Sequence, residues 1–296
     1  MVELREQTII DRANGRCKFC DSSRVVKNGT RKGTQYWLCK NCGRGFVDNQ
    51  ALPKMKFAMD TVASAVHQYY SGVSLKEIRN HIDEDSNIRP DYSAIYDWIT
   101  RLTKIAQEEA QKHQPVVSDT WIADETMVEI VGRQYLLLDI IDIETRYLIL
   151  TYLSATRTAL DIKTIMEIAV ERTGKMPKAI ITNGWRGYID GIEMAFGDDL
   201  RYTLSKPFVE KDSMNLIERF RESLGDRNKV MRFKKPNTAK LIIGGWLIYY
   251  NYFRPNASLK HRTPAEAAGI IFPHRNWLDV LKSQTPAYQG YSVLST

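Results

Sequence analysis

The chain has 296 residues, a net charge of +7 and an isoelectric point near 9.1, which leaves room for small modules and one core of about 150 residues. Its apolar run over residues 241–253 is too short to span a membrane, so we predict a core helix, closely packed at Gly244-Gly245, and no membrane partner. Four cysteines and the lack of a signal-peptide pattern exclude a disulfide-rich secreted protein and predict a reducing, cytoplasmic compartment.

Two C-x-x-C pairs stand near the N-terminus. Cys17 and Cys20 form the first pair, Cys39 and Cys42 form the second, and 18 residues separate the pairs. Four thiolates at this spacing are typical of a tetrahedral zinc ribbon, in which the metal is structural because no coordination position stays open. The alternative, two disulfides, is disfavoured in a reducing compartment. We therefore predict a Zn²⁺ ribbon over residues 1–50.

Basic and aromatic residues lie between the cysteine pairs. Residues 1–50 carry ten Lys and Arg against five Asp and Glu. Contact with DNA phosphates is one interpretation of this surplus, and a solvated surface is the other. The candidate DNA contacts are Arg24, Lys27, Arg31 and Lys32, interleaved with Tyr36 and Trp37.

A helical pattern begins after Pro53. Apolar residues recur at helical spacing over residues 59–69, and Ser74 with Glu77 predicts a capping box that opens a second helix. A third helix follows Pro90, and a polar helix over residues 107–114 is predicted to connect it to the next module.

Three short helices after a zinc ribbon are typical of a helix-turn-helix module whose third helix enters the major groove. Residues 51–115 carry eight basic and nine acidic residues, so a purely structural helical linker is the alternative. The outward candidate DNA contacts are Ser93, Tyr96, Thr100 and Arg101.

Three strands are predicted next, over residues 121–128, 135–142 and 147–153, with turns at Gly132-Arg133 and Glu144-Thr145. A helix from about Ala159 to Arg172 ends at Gly174. The apolar run that ends at Thr182 predicts a buried strand, which places Asn183 at a sheet edge. Glu218 falls on a later helix.

The segments around Asp124, Asn183 and Glu218 resemble the DDE transposases of bacterial and archaeal insertion sequences, which are relatives of the retroviral integrases. The motifs that carry the resemblance are ADET at 123–126, TNGWRGY at 182–188, NLIER at 215–219, YFRPN at 252–256 and RTPAEA at 262–267. The resemblance covers most of the chain and implies an α/β ribonuclease-H-like core, with a mixed five-stranded sheet and helices on both faces. One position departs from the family, which has Asp where this chain has Asn183.

The resemblance also implies a catalytic site made of Asp124, Asn183 and Glu218. Asp124 would bridge two Mg²⁺ or Mn²⁺ ions roughly 3.5 to 4 Å apart, position 183 would hold one ion, and Glu218 the other. Asn183 keeps the shape of Asp but removes one negative charge, so we expect weaker metal binding and impaired catalysis. Two histories would explain Asn183: the aspartate was replaced deliberately, or the chain is a natural copy of a transposase that has decayed or been domesticated.

Four further acids are predicted to lie outside the site. Glu125 follows Asp124 on one strand, so its side chain points to the opposite face and is structural. Glu222, one turn beyond Glu218, either supports it or is solvated, and we favour a solvated side chain. Asp139 and Asp142 are interpreted as turn formers.

The balance of charge reverses along the core. Residues 116–200 carry eight basic and fourteen acidic residues, and residues 201–262 carry fourteen basic and five acidic ones. An acidic pocket bordered by cations suits DNA as a substrate, and a solvated loop is the alternative. The candidate phosphate contacts are Arg227, Lys229, Arg232, Lys234 and Lys235.

These observations predict a zinc ribbon over 1–50, an all-α helix-turn-helix module with its connecting helix over 51–115, an α/β catalytic core over 116–270 and a tail over 271–296. The resemblance implies a prokaryotic, nucleoid-associated transposase that binds double-stranded DNA at terminal inverted repeats and at a target. It would act as a homodimer or larger assembly, cleaving a strand and transferring it. The alternative is a non-enzymatic DNA-binding regulator that retains the fold.

Overall fold

The computed structural model describes residues 16–31, 33–47, 56–197, 201–204 and 236–284. The chain divides into two compact units, one of residues 1–66 with 276–296 and one of residues 67–275. Within the described ranges, no helix is both long and apolar enough to cross a membrane.

The first unit contains a small antiparallel sheet. Its strands are β1 (Val25–Arg31), β2 (Thr34–Cys39) and β3 (Gly45–Val47), in the order β1-β2-β3. Cys17, Cys39 and Phe46 are its buried residues, and Phe19, Val25 and Trp37 pack against them. This core is small, and two of its three buried residues are cysteines.

Three helices follow, as predicted: α1 (Met59–Tyr70), α2 (Leu75–Ser86) and α3 (Tyr92–Ala110). The predicted capping box opens α2, where the Ser74 side chain accepts from the Glu77 backbone and the Glu77 side chain accepts from the Ser74 backbone. The prediction of a separate connecting helix over residues 107–114 is wrong, because α3 continues through Gln107 to Ala110 without a break. No glycine or proline interrupts residues 92–110, so nothing in the chain ends the helix earlier.

The core sheet has five strands, as expected. They are β4 (Thr120–Ile130), β5 (Arg133–Asp142), β6 (Leu148–Ser154), β7 (Ala179–Thr182) and β8 (Arg201–Leu204). The sheet order is β6-β5-β4-β7-β8; β4, β5 and β6 pair antiparallel, while β7 runs parallel to β4 and β8 parallel to β7. In the mixed sheet, the carboxyl end of β7 lies beside the first half of β4, because β7 pairs with only Thr120, Trp121 and Ile122 of β4.

The turn between β4 and β5 lies one residue earlier than predicted. Ile130 pairs with Arg133, so the two turn residues are Val131 and Gly132, both with positive φ. Two residues in this conformation form the turn type that matches the twist of a hairpin. The turn fixes which residues of β4 and β5 lie opposite each other.

The remaining helices are α4 (Ala159–Thr173), α5 (Arg186–Phe196), α6 (Pro236–Ile248), α7 (Pro264–Ala267) and α8 (Trp277–Lys282). A π-helical turn (Tyr249–Phe253) follows α6, and a short 3-10 helix (Ala257–Leu259) precedes α7. As predicted, α4 ends at Gly174, which adopts the left-handed conformation. Buried Asn251, in the π-helical turn, accepts from and donates to the backbone of Leu148 at 2.9 Å in both directions, which covers the edge strand β6.

The prediction that the apolar run after Leu241 is a closely packed core helix is confirmed. In α6, a side-chain carbon on Gly244 would lie 1.9 Å from Gln107, and one on Gly245 would lie 2.0 Å from the Tyr70 hydroxyl. The Tyr70 and Thr103 hydroxyl groups leave room only for glycine at position 245, whereas the Gln107 amide near Gly244 is the end of a flexible side chain. The two helices α3 and α6 lie side by side in the second unit.

Candidate active site

Asn183 follows the end of β7, and Asp124 lies inside the neighbouring strand β4, two residues past the part of β4 that pairs with β7. Ile122 of β4 pairs with Ile181 of β7, and the two candidate residues each follow that pair by two positions. Because side chains alternate along parallel strands, residues two positions beyond a pair share one face. Asp124 is buried, with 6% of its surface exposed, whereas Asn183 is exposed. This geometry gives one buried acid beside one accessible amide.

The turn after β7 holds the Asn183 side chain. Its Oδ1 accepts a hydrogen bond from the backbone of Trp185 at 3.0 Å, and Gly184 between them has a φ of +81°. The Gly184 backbone in turn donates to the Thr182 hydroxyl at 3.2 Å. One lone pair of the Asn183 oxygen is therefore used by the turn, and an aspartate could make the same bond.

Asp139 lies directly opposite Asp124 in the β4-β5 hairpin. It is 3% exposed, and its Oδ1 accepts a hydrogen bond of 2.7 Å from Thr151, the residue paired with it on β6. Burial, and to a smaller extent the charge of Asp124, raise the pKa of Asp139 to about 8, against the lowering effect of the Thr151 hydrogen bond. The prediction that Asp139 forms a turn is wrong, since it lies within a central strand. Asp124, Asp139 and Thr151 form one row across the sheet.

Asp142, by contrast, is confirmed as a turn former. Its Oδ2 accepts from the backbone and the hydroxyl of Thr145, at 2.8 and 2.6 Å. Its Oδ1 accepts from the backbone and the hydroxyl of Ser118, at 2.8 and 2.5 Å. A carboxylate with four donors is fully occupied by the fold, so it has no free oxygen for a ligand.

Glu125 belongs to a separate network. Arg157 pairs with its carboxylate at 2.5 Å and stacks over the Trp185 ring at 4.3 Å. Trp185 meets the buried Tyr188 edge to face at 5.7 Å. Burial raises the pKa of Tyr188, and the charges of Glu125, Asp124 and Asp139 act in the same direction. Sequence reasoning missed Arg157 and Tyr188, although Tyr188 is the last residue of the TNGWRGY motif.

Several predicted site residues lie outside the described residues. They are Glu218, with its neighbour Glu222, the five phosphate candidates Arg227, Lys229, Arg232, Lys234 and Lys235, and Lys32 of the ribbon. Their assignments stay predictions. Of the three predicted catalytic positions, the structure therefore describes Asp124 and Asn183.

The four cysteines come together as predicted. Their sulfur atoms all lie within 4.8 Å of one another; Cys17 and Cys42 are 3.6 Å apart, and Cys20 and Cys39 are 3.7 Å apart. Four sulfurs at 2.3 Å from a tetrahedral zinc ion would be about 3.8 Å apart. A disulfide would need about 2.05 Å, so the paired-disulfide alternative does not fit.

Backbone N–H groups point at the cluster, as zinc-bound thiolates require. Phe19 donates to Cys17 and Asn41 donates to Cys39, each at 3.4 Å. The backbone bond from Cys42, and next that from Asn41, lowers the pKa of Cys39 to about 6, against the effect of burial. A stabilised thiolate is the form that binds Zn²⁺.

The candidate DNA contacts of the first unit are exposed. Arg24, Lys27 and Arg31 all present their side chains to solvent, and the Arg31 guanidinium lies 5.0 Å from the centre of the Tyr36 ring. Lys27 on β1 faces Trp37 on β2. One edge of the ribbon therefore carries cations next to aromatic rings.

The candidates on α3 differ among themselves. Ser93 and Arg101 are exposed, whereas Tyr96 and Thr100 are half-buried. Burial raises the pKa of Tyr96, whose hydroxyl lies beside Thr238 of α6. Packing on α6 thus covers part of the face that was predicted to reach DNA.

Residues 118–255 match a family model described as a DDE domain, of the IS240 transposase group. No curated protein sequence matches the chain.

Solved structures with a similar fold include two forms of the HTLV-2 integrase catalytic core domain in complex with magnesium. The trimeric form is 14% identical, covers 52% of this chain and 99% of its own, and has a TM-score of 0.41. The dimeric form is 14% identical, covers 51% and 94%, and has a TM-score of 0.39. A simian T-cell lymphotropic virus intasome in complex with PP2A regulatory subunit B56 gamma is 14% identical, covers 70% and 74%, and has a TM-score of 0.43.

Proposed function

We propose that the protein is a DNA transposase, on the basis of the match between residues 118–255 and the DDE-domain family model. It binds the terminal inverted repeats of an element, cleaves a strand to free a 3′-hydroxyl and joins that end to target DNA. The observation that carries the proposal is that Asn183, just after β7, and Asp124, inside the neighbouring strand β4, each lie two residues beyond the paired residues Ile181 and Ile122 and so share one face of the sheet.

The oxygen atoms at this site suit a hard divalent cation. Asp124 supplies a buried carboxylate and Asn183 an accessible carbonyl oxygen, and Glu218 would complete the set, as the family resemblance implies. Mg²⁺ and Mn²⁺ prefer such oxygen ligands. When bound, the ions would lower the pKa of the attacking oxygen and stabilise the leaving oxygen. The fold holds Asp124 in place, because β4 pairs with β5 at this residue and with β7 up to two residues before it.

Asn183 impairs this activity in the chain as it stands. An amide has nearly the shape of a carboxylate, and Asn183 makes a turn bond that Asp would also make. The substitution therefore leaves the fold and DNA binding intact while removing one of three ligand charges. A non-enzymatic DNA-binding regulator is the second candidate, and the same amide is the observation that favours it.

DNA binding is assigned to the cationic surfaces. Arg24, Lys27 and Arg31 on the exposed ribbon contact phosphates, supported by a structural Zn²⁺ at the four cysteines. Ser93 and Arg101 of α3 contribute further contacts, and Tyr96 contributes its exposed part. The protein acts as a homodimer or larger assembly on paired DNA ends, with Lys32 and the basic residues after Glu218 completing the phosphate contacts.

The test is the reverse substitution, Asn183→Asp. It is expected to restore Mg²⁺- or Mn²⁺-dependent cleavage and strand transfer on DNA carrying the element ends, measured on labelled strands in a denaturing gel. Loss of a catalytic group costs several orders of magnitude in rate, so the gain should be at least about a thousandfold. In the Asn183→Asp background, Asp124→Ala and Glu218→Ala should each abolish cutting. If the Asn183→Asp protein binds its ends yet does not cut in Mn²⁺, the regulator is the better description.

A further inference from the structure

A basic loop, separate from the proposed DNA contacts, follows the π-helical turn. This 254–262 loop contains Arg254, Lys260, His261 and Arg262, while residues 236–265 contain no Asp or Glu. Lys260, His261 and Arg262 are exposed, and Arg254 is half-buried. Within the described ranges, none of these side chains forms an ion pair. The loop therefore presents positive charge that the described part of the protein does not neutralise.

The backbone of the 254–262 loop is held by its own hydrogen bonds. The Asn256 backbone donates to the carbonyl oxygen of Arg262 at 2.9 Å and accepts from the backbone of His261 at 3.0 Å, which ties the two ends of the loop together. The Asn256 side chain accepts from the backbone and the hydroxyl of Ser258, at 3.0 and 2.7 Å. Because this backbone is already ordered, it loses little conformational freedom when the loop binds a ligand.

Two consecutive residues of the loop adopt the left-handed conformation. The φ angle of Lys260 is +56° and that of His261 is +62°. This region is unfavourable for residues with a side chain, and glycine or asparagine is the usual choice there. Strained residues that the surrounding structure holds in place cluster at binding and active sites. The strained turn brings two exposed side chains to the surface next to Arg262.

The guanidinium of Arg262 is fixed at one nitrogen and open at the others. Its Nε donates to the carbonyl oxygen of Leu259 at 3.4 Å, and the Leu259 side chain is buried. Neither terminal nitrogen finds an acceptor in the described part of the chain. A guanidinium with free terminal nitrogens binds phosphate through two parallel hydrogen bonds. The orientation of Arg262 thus suits a phosphate ligand.

We infer that the 254–262 loop binds the phosphate backbone of DNA through Lys260 and Arg262. The inference rests on the proposed function, because it adds a phosphate contact in the second unit to those of the ribbon and α3. DNA phosphates fit this surface, since it combines unpaired positive charge with free N–H donors and has no acid to repel them. Such contacts supply affinity and position the duplex without reading its base sequence.

The probe is a fluorescein-labelled linear DNA duplex of arbitrary sequence, titrated with the full chain at several salt concentrations and followed by fluorescence anisotropy. Lys260→Asn removes a charge and introduces a residue that tolerates the left-handed conformation. Arg262→Gln removes the second charge and keeps a polar side chain. Each phosphate contact contributes about 0.9 to the slope of log K against log salt concentration. The double variant is expected to have a slope shallower by about 2, and to bind at least about tenfold more weakly at about 100 mM salt.

Two further pairs of substitutions serve as controls. Lys163→Gln with Lys178→Gln also removes two positive charges from the second unit, but these lysines pair with Glu167 at 3.6 Å and with Asp119 at 2.6 Å. Its slope should stay within about 0.5 of the parent slope. Lys260→Arg with Arg262→Lys keeps both charges of the loop and should keep the slope. If this charge-retaining pair loses as much affinity as the neutral pair, the residues are structural and the inference is overturned.

The remaining outcomes separate the inference from the proposed function. A steep slope in the parent that is unchanged in Lys260→Asn with Arg262→Gln overturns the inference and leaves the proposed function standing. An equal loss in the Lys163 and Lys178 pair also overturns it, because net charge alone then explains the effect. Unchanged DNA binding with weaker self-association in sedimentation velocity overturns it as well, since the loop then contacts a second copy of the chain. If the parent chain does not bind DNA at all, the proposed function fails together with the inference.

Discussion

Replacing Arg157 tests how the sheet and the turn after β7 are held together. The guanidinium pairs with Glu125 of β4 at 2.5 Å and stacks on Trp185, two residues after Asn183, at 4.3 Å. The Glu125 side chain is 9% exposed, whereas that of Arg157 is 48% exposed. Arg157→Ala therefore leaves a nearly buried carboxylate without its cation.

The expected cost has two parts. Removing one partner of a fully buried pair costs about 3 to 5 kcal/mol, and the half-exposed guanidinium reduces this to about 2 kcal/mol. Loss of the cation–π contact with Trp185 adds about 1 kcal/mol. Arg157→Ala should thus lower the free energy of unfolding by about 3 kcal/mol. Arg157→Lys keeps the charge but loses the planar stack, so it should cost about 1 kcal/mol.

Urea unfolding followed by circular dichroism measures these costs, and a double-mutant cycle isolates the ion pair. Glu125→Gln is the matched background, because it removes the charge and keeps the shape. In that background, Arg157→Ala should cost only about 1 kcal/mol, which leaves a coupling of about 2 kcal/mol. An equal cost in both backgrounds would refute the electrostatic reasoning, and a cost below about 0.5 kcal/mol in the parent would refute the network itself.

Two further predictions concern metal and DNA. Purified protein should contain about one zinc per chain, and Cys39→Ser should unfold residues 16–47 while the core sheet keeps its unfolding transition; less than about half an equivalent of zinc would count against the ribbon. Binding to linear DNA should survive removal of Mg²⁺ and weaken steeply with salt. Lys234→Ala with Lys235→Ala should weaken binding to unrelated DNA as much as to terminal repeats, as seen in fluorescence anisotropy titrations, and a loss confined to the repeats would mean that these lysines read bases.

The sequence determined much of this protein. Cysteine spacing predicted the ribbon, period-two patterns predicted β4 to β6, the capping box at Ser74 and Glu77 predicted the start of α2, and Gly174 predicted the end of α4. The resemblance to DDE transposases is confirmed by the family match over residues 118–255. These features are local in the chain, so each is visible within a few residues.

Only the tertiary structure decided which acids meet. A turn at Gly132-Arg133 would have placed Asp124 opposite Ile141, but the observed turn at Val131-Gly132 places it opposite Asp139. Moving a two-residue turn by one position changes every cross-strand pair by two residues, and sequence patterns locate turns less sharply than that. Likewise, nothing local shows that Arg157 reaches Trp185, or that α3 lies on Gly244 and Gly245 of α6, because these contacts join residues far apart in the chain.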